Sequence, residues 1–254
     1  MHGCGNDFVV VDCRNVSSSI SNFDFPALAR SMLDRHLGVG GDQLLLVCDS
    51  SLPSTARCTM RIFNTDGREA EMCGNGLRAV ALFVSTEVGS SFVVDTLAGP
   101  RHVIVEDERS VSVEMGEPKL LEKDAVPLLG HLWHKVSMGN PHAVTVVTDV
   151  EKIDLVALGR AVEREWDCNV EIVELKSKAH CVARVWERSV GITMACGSGA
   201  CAIFAALRSQ NLVDDVLRVQ FPGGELRISD NITMTGPAVT VFQGQWPFQG
   251  QWPV

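Results

Sequence analysis

Hydrophobic and polar positions repeat along the chain with two different periods, which together predict helices and strands. Residues 77–88 and 200–211 carry good helix formers with apolar side chains on nearly every face, a pattern that favours helices buried inside a sheet. Residues 25–37 and 153–165 have one apolar face, which is typical of amphipathic surface helices. Apolar or alternating runs predict strands at residues 5–12, 91–97, 101–107, 110–116, 139–147 and 214–221. The chain is therefore expected to fold as an α/β protein.

Each of the two buried helices follows the same motif, and the repeat extends upstream of it. The segment CTMRIFNTDGREAEMCGNGLRAV (58–80) aligns without a gap with CVARVWERSVGITMACGSGACAI (181–203). Cys73 and Cys196 occupy the same place in the two copies, directly before Gly-Asn-Gly and Gly-Ser-Gly. A weaker echo pairs GNDFVVVD, which starts at Gly5, with GNPHAVTVV, which starts at Gly139. We infer an internal duplication and two α/β halves that separate near residues 115–120.

Length and charge narrow the function. The chain has 254 residues, 46% of them hydrophobic, which is enough for one large domain or two small ones with real cores. Its net charge of −9 argues against nucleic acid or an anionic membrane as the main partner. No apolar run approaches the roughly 20 residues that span a bilayer, and the N-terminal residues lack the profile of a signal peptide. We therefore expect a cytoplasmic protein.

The nine cysteines are a high and odd count in a long chain, which does not favour a disulfide framework. No Cys-x-x-Cys occurs, and Cys196 with Cys201 is only half of a zinc site, so no metal is predicted. Cys13, Cys48 and Cys58 lie in apolar strand-like runs and are interpreted as buried small hydrophobic residues. The chain contains no tyrosine, and no lysine lies in a context that suggests a pyridoxal Schiff base. We therefore expect no cofactor.

The two cysteine motifs suggest acid–base chemistry at a carbon atom next to a carboxylate. A thiol at a helix N-terminus meets the positive end of the dipole, which is expected to lower its pKa, and the glycines let backbone N–H groups approach an anion. One copy alone would favour a structural turn over a site. If two duplicated halves face each other, one thiol can remove a proton from one face of a carbon and the other can return a proton to the opposite face. The predicted chemistry is two-base racemisation or epimerisation.

Other chemistries explain less of the pattern. A cysteine hydrolase needs one nucleophile and a positioned histidine, and it gives no reason for a second copy. A dithiol redox site would need the two sulfurs within bonding range, which the spacing neither requires nor excludes. A module that only binds carboxylates could keep both helix ends without needing both thiols.

Four blocks of the sequence resemble the signature blocks of the diaminopimelate epimerase family. They are MHGCGNDFVVVD, RIFNTDGREAEMCGNG, SMGNPHAV and RVWERSVGITMACGSGACA, and PGGEL and MTGPAV fit as well. The resemblance implies a pyridoxal-independent conversion of L,L- to meso-diaminopimelate in lysine and cell-wall synthesis. It implies two pseudo-symmetric domains, each a curved, mostly antiparallel sheet around a central helix. The domains would be residues 1–115 and 116–236, with residues 237–254 returning to the first, and members are often homodimers.

The same resemblance implies roles for individual residues. The two catalytic bases would be Cys73 and Cys196. The backbone N–H groups that hold the reacting carboxylate would be those of Gly74, Asn75, Gly197 and Ser198. The residues around the reacting end of the amino acid would be Asn6, Gln43 and Glu187. The residues that grip the distal amino and carboxylate groups would be Asn64, Asn140, Asn169 and Arg188. His142 would lie near the thiols and help with proton traffic.

Several of these residues also have an interpretation without catalysis, including His142, which is compatible with a capped loop histidine. Asparagine forms turns through its own backbone, so Asn6, Asn64 and Asn140 are compatible with a structural role. Glu187 and Arg188 are compatible with a solvated ion pair. The remaining alternatives are a racemase of histidine, proline or hydroxyproline on the same fold, and a protein that only binds an amino acid.

Several positions depart from the family pattern without removing a catalytic or gripping residue. They are Gly41, Ser189, Ile192 and Met194, and they concern the rim of the expected site, so they bear on the substrate more than on the chemistry. The tandem repeat FQGQWPFQGQWP near the C-terminal end is assigned no function.

Overall fold

The computed structural model describes residues 1–15 and 23–246. It contains two compact units, which we call unit 1 and unit 2. Unit 1 comprises Met1–Val111 together with the described residues from Ala238 onward, and unit 2 comprises Ser112–Pro237. Each unit combines a sheet with two α-helices, so the prediction of an α/β fold is confirmed. The second copy of the FQGQWP repeat lies outside the described residues.

Unit 1 is a mixed sheet with helices on its connections. Its elements are β1 (His2–Gly3), β2 (Asn6–Asp12), α1 (Phe25–Met32), β3 (Gln43–Cys48), β4 (Cys58–Asn64), β5 (Glu69–Ala70), α2 (Gly74–Val88), β6 (Ser91–Asp95) and β7 (Arg101–Val105). Strand β2 runs parallel to β3, and β4 runs parallel to β6. Four further pairs, β1–β2, β3–β4, β4–β5 and β6–β7, are antiparallel. Parallel neighbours need a crossover, which α1 and α2 supply.

Helix α1 is shorter than the sequence pattern suggests. The side chain of Asp24 caps its first turn by accepting a hydrogen bond from the Ala27 N–H at 2.9 Å. The helix was predicted to continue to residue 37 but ends at Met32. The carboxylate of Asp34 accepts hydrogen bonds from the backbone N–H groups of His36 and Leu37 at 2.7 and 2.8 Å. This local turn competes with the helix, so the prediction of its C-terminal end is wrong.

Unit 2 repeats this arrangement with more strands. Strand β8 (Ser110–Glu114) contains the boundary between the units. It is followed by β9 (Lys119–Leu120), β10 (Val126–Leu128), β11 (His131–Ser137), β12 (Pro141–Val146), α3 (Leu155–Trp166), β13 (Asn169–Ser177), β14 (His180–Glu187), β15 (Gly191–Thr193), α4 (Gly197–Ser209), β16 (Val216–Phe221), β17 (Gly224–Ser229) and β18 (Thr233–Pro237). The parallel pairs are β12–β13 and β14–β16. Helices α3 and α4 form these crossovers, as α1 and α2 do in unit 1.

Helix α3 packs closely against the sheet of unit 2. Asp154 caps it by accepting a hydrogen bond from the Ala157 N–H at 3.1 Å, so the helix begins at Leu155 and not at the predicted residue 153. A Cβ atom on Gly159 would lie 2.6 Å from Cγ of Trp186, which is closer than carbon atoms approach. The glycine therefore permits the helix to rest directly on the indole ring. The hydrophobic cluster at this contact includes Val162 of the helix and Trp133 and Ile172 of the sheet.

The nine cysteines are free thiols, and all except Cys48 and Cys73 are buried. Cys13 and Cys58 are therefore buried as predicted, whereas Cys48 is only half-buried. In the described part of the chain, no helix is both long enough and apolar enough to cross a membrane.

Candidate active site

Cys73 is the N-cap of α2, and its sulfur forms the cap. The residue has an extended backbone (φ −143°, ψ 110°), and its Sγ accepts a hydrogen bond from the Gly76 N–H at 3.4 Å. A Cβ atom on Gly76 would lie 3.1 Å from Cδ2 of Leu45, so this glycine lets the first turn approach the sheet closely. The first N–H groups of a helix cannot be paired inside it, and here they belong to the predicted carboxylate-binding residues Gly74 and Asn75. The sequence motif thus places a thiol beside a helix N-terminus.

A buried arginine supports this turn from within unit 1. Asn75 donates from Nδ2 to Oδ1 of Asn6 at 2.5 Å, so the structure brings two of the predicted site residues together. Arg78 is fully buried and donates to Oδ1 of Asn75 at 2.9 Å and to Sγ of Cys4 at 3.6 Å. Burial raises the pKa of the Cys4 thiol, and the charge of Arg78 acts in the opposite direction. Sequence reasoning missed Arg78, because an arginine in a helix is usually exposed.

Two more predicted residues of unit 1 form a direct pair. Gln43 begins β3 and lies opposite Asn64, the last residue of β4. The side chain of Gln43 donates from Nε2 to Oδ1 of Asn64 at 2.9 Å. The paired amides retain further donors and acceptors, which is what a polar ligand group requires.

Cys196 is the N-cap of α4 and reproduces the geometry of Cys73. It has an extended backbone (φ −125°, ψ 118°), and its Sγ accepts a hydrogen bond from the Gly199 N–H at 3.3 Å. Gly197 and Ser198 supply the first helical N–H groups, as predicted by the repeat. The hydroxyl of Ser198 lies 3.5 Å from the Cys196 sulfur.

The expectation that the helix N-terminus lowers the pKa of this thiol is wrong for Cys196. Burial raises its pKa well above the usual value, and the carboxylates of Glu187 and Glu171 add to the rise. The hydrogen bonds from Ser198 and Gly199 favour the thiolate but are outweighed. Cys196 is therefore a protonated thiol at neutral pH in this structure.

A chain of side chains leads from Cys196 into the core of unit 2. Ser198 lies 3.5 Å from Nδ2 of Asn140, and Oδ1 of Asn140 lies 3.1 Å from Nε2 of His142. Nδ1 of His142 lies 2.6 Å from Oε1 of Glu171, and both side chains are fully buried. We call the five residues Cys196, Ser198, Asn140, His142 and Glu171 the unit 2 relay. It joins four predicted site residues to one, Glu171, that sequence reasoning missed.

The remaining predicted residues lie at the ends of β13 and β14. Oε1 of Glu187 accepts a hydrogen bond from the Thr193 hydroxyl at 2.5 Å. The amide of Asn169 is held by backbone, donating to the Pro141 carbonyl at 3.0 Å and accepting from the Arg188 N–H at 3.0 Å. It therefore joins three neighbouring segments of unit 2.

Arg188 and its neighbour Ser189 form an exposed corner beyond β14. The guanidinium of Arg188 pairs with the exposed carboxylate of Asp167 at 3.1 Å. Ser189 has a left-handed backbone (φ 63°), a conformation that favours glycine. Its N–H donates to Oε1 of Glu163 at 2.6 Å, and this bond supports the serine in that conformation. In residues 1–15 and 23–246, no three His, Cys, Asp or Glu side chains are grouped so that they could hold a metal ion.

Comparisons with known proteins agree with this arrangement. The model of a family described as diaminopimelate epimerase matches residues 1–121 and 135–245. The diaminopimelate epimerase of Desulforapulum autotrophicum is 40% identical over 278 aligned residues, which cover 96% of this chain and 96% of the relative. That of Rippkaea orientalis is 40% identical and covers 95% of each chain. The chain belongs to the diaminopimelate epimerase family.

This chain also has the same fold as a solved structure of low sequence identity. The probable proline racemase of Agrobacterium radiobacter K84 has a TM-score of 0.68 and 14% identity, covering 88% of this chain and 81% of that one. The match to the diaminopimelate epimerase family is an isomerase match, so the prediction of an isomerase is confirmed. Cys73, Cys196 and every other predicted site residue lie inside the two matched segments.

Proposed function

We propose that this protein is a cofactor-independent epimerase that converts L,L-diaminopimelate to meso-diaminopimelate with Cys73 and Cys196 as the two bases. The observation that carries the proposal is the equivalence of the two thiols. Each caps a helix through its sulfur, at 3.4 Å from Gly76 N in unit 1 and 3.3 Å from Gly199 N in unit 2. A single nucleophile would need one such motif, whereas inversion of a carbon centre needs two.

The proposed reaction is a pair of proton transfers. The thiolate of one cysteine takes the α-proton, so that an S–H bond forms and the C–H electron pair remains on the substrate. The thiol of the other cysteine then gives its proton to the opposite face of the same carbon. The base for one stereoisomer is the acid for the other, so the two cysteines exchange roles when the reaction runs in reverse. Burial raises the pKa of the Cys196 thiol, which favours the acid role for Cys196 before substrate binds.

Backbone N–H groups stabilise the charge that develops on the substrate. The first N–H groups of α2 and α4 point out of the helix ends, and together with the helix dipole they favour an anion. A carboxylate bound there accepts negative charge as the carbanion forms, and preorganised donors lower the barrier without a cofactor. The paired amides of Gln43 and Asn64 offer polar contacts to the amino groups of the substrate.

Isotope transfer from solvent tests this mechanism directly. In deuterated water, product formed early should carry deuterium at the inverted α-carbon, because its new proton comes from a thiol that exchanges with solvent. Recovered substrate should stay protiated, and both starting stereoisomers should show the same asymmetry. Mass spectrometry of the separated isomers measures this. Equal label in substrate and product would mean that a single base serves both faces.

Substrate identity needs its own control. The protein should be incubated with L,L-diaminopimelate and, in parallel, with L-proline, trans-4-hydroxy-L-proline and L-histidine, followed by chiral chromatography. Inversion of diaminopimelate alone supports the proposal. Inversion of one of the other amino acids would move the chemistry to another substrate, and inversion of none would remove it.

A further inference from the structure

Unit 2 buries a carboxylate that the proposed proton transfers do not use. Glu171 has no exposed surface, and its Oε1 lies 2.6 Å from Nδ1 of His142. Its other oxygen, Oε2, is buried and has no hydrogen-bond partner among the described residues. Burial of a carboxylate with an unsatisfied oxygen costs free energy, so its presence calls for a compensating role.

The equivalent place in unit 1 shows that the turn does not need this carboxylate. Phe63 and Trp186 are equivalent in the repeat, and they lie opposite Leu44 and Val170 on the neighbouring strands. The next residues along those strands, Leu45 and Glu171, are therefore equivalent. They also make the same approach: a Cβ atom on Gly76 would meet Leu45 at 3.1 Å, and one on Gly199 would meet Glu171 at 2.7 Å.

The partner of Glu171 has an apolar equivalent as well. Phe8 lies opposite Gln43 in the parallel pair β2–β3, just as His142 lies opposite Asn169 in the parallel pair β12–β13. A buried Phe–Leu pair in unit 1 therefore corresponds to a buried His–Glu pair in unit 2. In unit 1 an apolar pair is sufficient for the packing of α2. The polar pair beneath α4 therefore has a role in unit 2 that unit 1 does not need.

We propose that Glu171 is a positioning residue that acts on the Cys196 thiol through the unit 2 relay. The carboxylate fixes the His142 ring by accepting a hydrogen bond from Nδ1–H at Oε1, and the N–H on Nε2 of the same ring then donates to Oδ1 of Asn140. The orientation of the Asn140 amide in turn determines how the Ser198 hydroxyl meets the sulfur. The role in catalysis rests on the proposed function, whereas the coupling of Glu171 to the sulfur does not.

Nuclear magnetic resonance of the ring proton tests the first step. In protein labelled with ¹⁵N-histidine, the short contact should give one Nδ1–H resonance downfield of the backbone amide range. The His142→Phe variant, which copies unit 1, identifies the resonance by losing it. Glu171→Leu should remove it, and Glu171→Gln should move it upfield because an amide oxygen accepts more weakly than a carboxylate. A wild-type protein without this resonance overturns the proposal.

Alkylation of the two motif cysteines tests the coupling without relying on catalysis. The rate for Cys196 is measured by mass spectrometry in the wild type, Glu171→Gln, Ser198→Ala and the double variant, with Cys73 in the same molecules as the internal control. Both changes interrupt one relay, so their effects on the Cys196 alkylation rate should not multiply. The rate change in the double variant should differ by at least about threefold from the product of the two single-variant rate changes. The rate for Cys73 should stay constant. Effects that multiply within about twofold would assign Glu171 a structural role only.

Activity then separates the two proposals. If the protein inverts diaminopimelate, Glu171→Gln should lower kcat with KM little changed, since Glu171 is fully buried and acts through the relay. An unchanged kcat overturns the catalytic part of the inference while leaving the epimerase intact. If no substrate is inverted at all, the proposed function fails. The histidine resonance and the alkylation rates still show in that case whether Glu171 is coupled to the Cys196 sulfur. Should Glu171→Gln not fold, the wild-type resonance decides alone.

Discussion

The two cysteine motifs share a backbone and differ in the charge buried beneath it. In unit 1 the turn after Cys73 is supported by the buried guanidinium of Arg78, which holds Asn75. In unit 2 the position equivalent to Arg78 is Cys201, and the buried charge is instead the carboxylate of Glu171. The same helix N-terminus therefore lies over a buried basic side chain in unit 1 and over a buried acidic side chain in unit 2.

This difference shows which part of the motif determines geometry and which part sets chemistry. The Cys-Gly-x-Gly backbone gives the same cap in both copies, with sulfur-to-nitrogen distances of 3.4 and 3.3 Å. The side chains below it have diverged, and they change the local electrostatics without moving the cap. A reaction in which one cysteine is acid while the other is base can use such an asymmetry.

Removal of either thiol should have the largest effect on this comparison. Cys73→Ala and Cys196→Ala should each lower epimerisation by about 10²–10⁴-fold, the usual contribution of a positioned acid or base. Each variant removes one face only, so the other cysteine can still exchange the α-proton on its own side. Rates come from chiral chromatography, with the buried Cys181→Ala as the matched control. Near-normal rates in both motif variants would end the two-base mechanism.

The buried arginine should dominate the stability difference between the motifs. Arg78→Ala removes a fully buried side chain and a donor to Asn75, so the free energy of unfolding should fall by about 3–5 kcal/mol. Cys201→Ala, at the same place in the repeat, should cost only about 1–2 kcal/mol. Denaturant unfolding measures both. Similar losses at the two positions would show that Arg78 acts as a packing residue like Cys201.

The charged contact to the distal carboxylate is expected from Arg188 of unit 2. Arg188 has Thr65 as its equivalent in unit 1, and its guanidinium pairs with Asp167 on an exposed corner. Arg188→Ala should weaken binding of diaminopimelate by about 1.5–3 kcal/mol, since a charge-assisted hydrogen bond to the distal carboxylate is lost. Thr65→Ala should leave KM unchanged. Steady-state kinetics measure both, and a normal KM in Arg188→Ala would remove this residue from the distal site.

High pH should destabilise both units through equivalent cysteines. Burial raises the pKa of Cys58 and of Cys181 to about 12. In the unfolded chain these thiols ionise from about pH 8.5, whereas in the folded protein they stay protonated up to about pH 12. Their contribution is therefore complete below about pH 8.5, and each lowers the free energy of unfolding by about 1.4 kcal/mol per pH unit above it.

Single replacements resolve this pH dependence. Cys58→Ala and Cys181→Ala should each make the alkaline slope shallower by the same amount, whatever they cost at neutral pH. Unfolding curves between about pH 9 and 10.5 under reducing conditions measure the slopes. A shallower slope in one variant alone would mean that the equivalent positions are not equally buried in solution.

Features that depend on local chemistry were predictable from the sequence. The helices after both motifs begin where the cysteine and the glycines indicate, because a capping side chain and small residues act within one turn. The end of α1 was not predicted, since the carboxylate of Asp34 interrupts a pattern that is otherwise periodic. The period of the hydrophobic positions predicts which face of a helix is buried. It does not predict the residue at which a side chain hydrogen-bonds to the backbone and ends the helix.

Features that depend on burial were not predictable. Glu171 follows a buried strand residue, so an alternating pattern would predict that it is exposed. It is buried because helix α4 packs over it, which only the tertiary structure shows. The pKa of Cys196 was predicted with the wrong sign, because a helix dipole is visible in sequence and desolvation is not. Charged side chains in the core need the tertiary structure to be recognised.

The way the chain enters and leaves unit 2 has a consequence for folding autonomy. In unit 1, the Ala238 N–H donates to the Arg109 carbonyl at 3.0 Å, so the two ends of its interrupted chain lie side by side. In unit 2, the hydroxyls of Ser112 and Thr235 meet at 2.7 Å, so its own first and last residues are also neighbours. Unit 2 is thus an insertion in the chain of unit 1, and the two residues of unit 1 that flank it are already adjacent. A short turn in place of residues 112–237 would therefore reconnect unit 1 at a small cost in loop entropy. Each unit should then be obtainable as a separately folding protein.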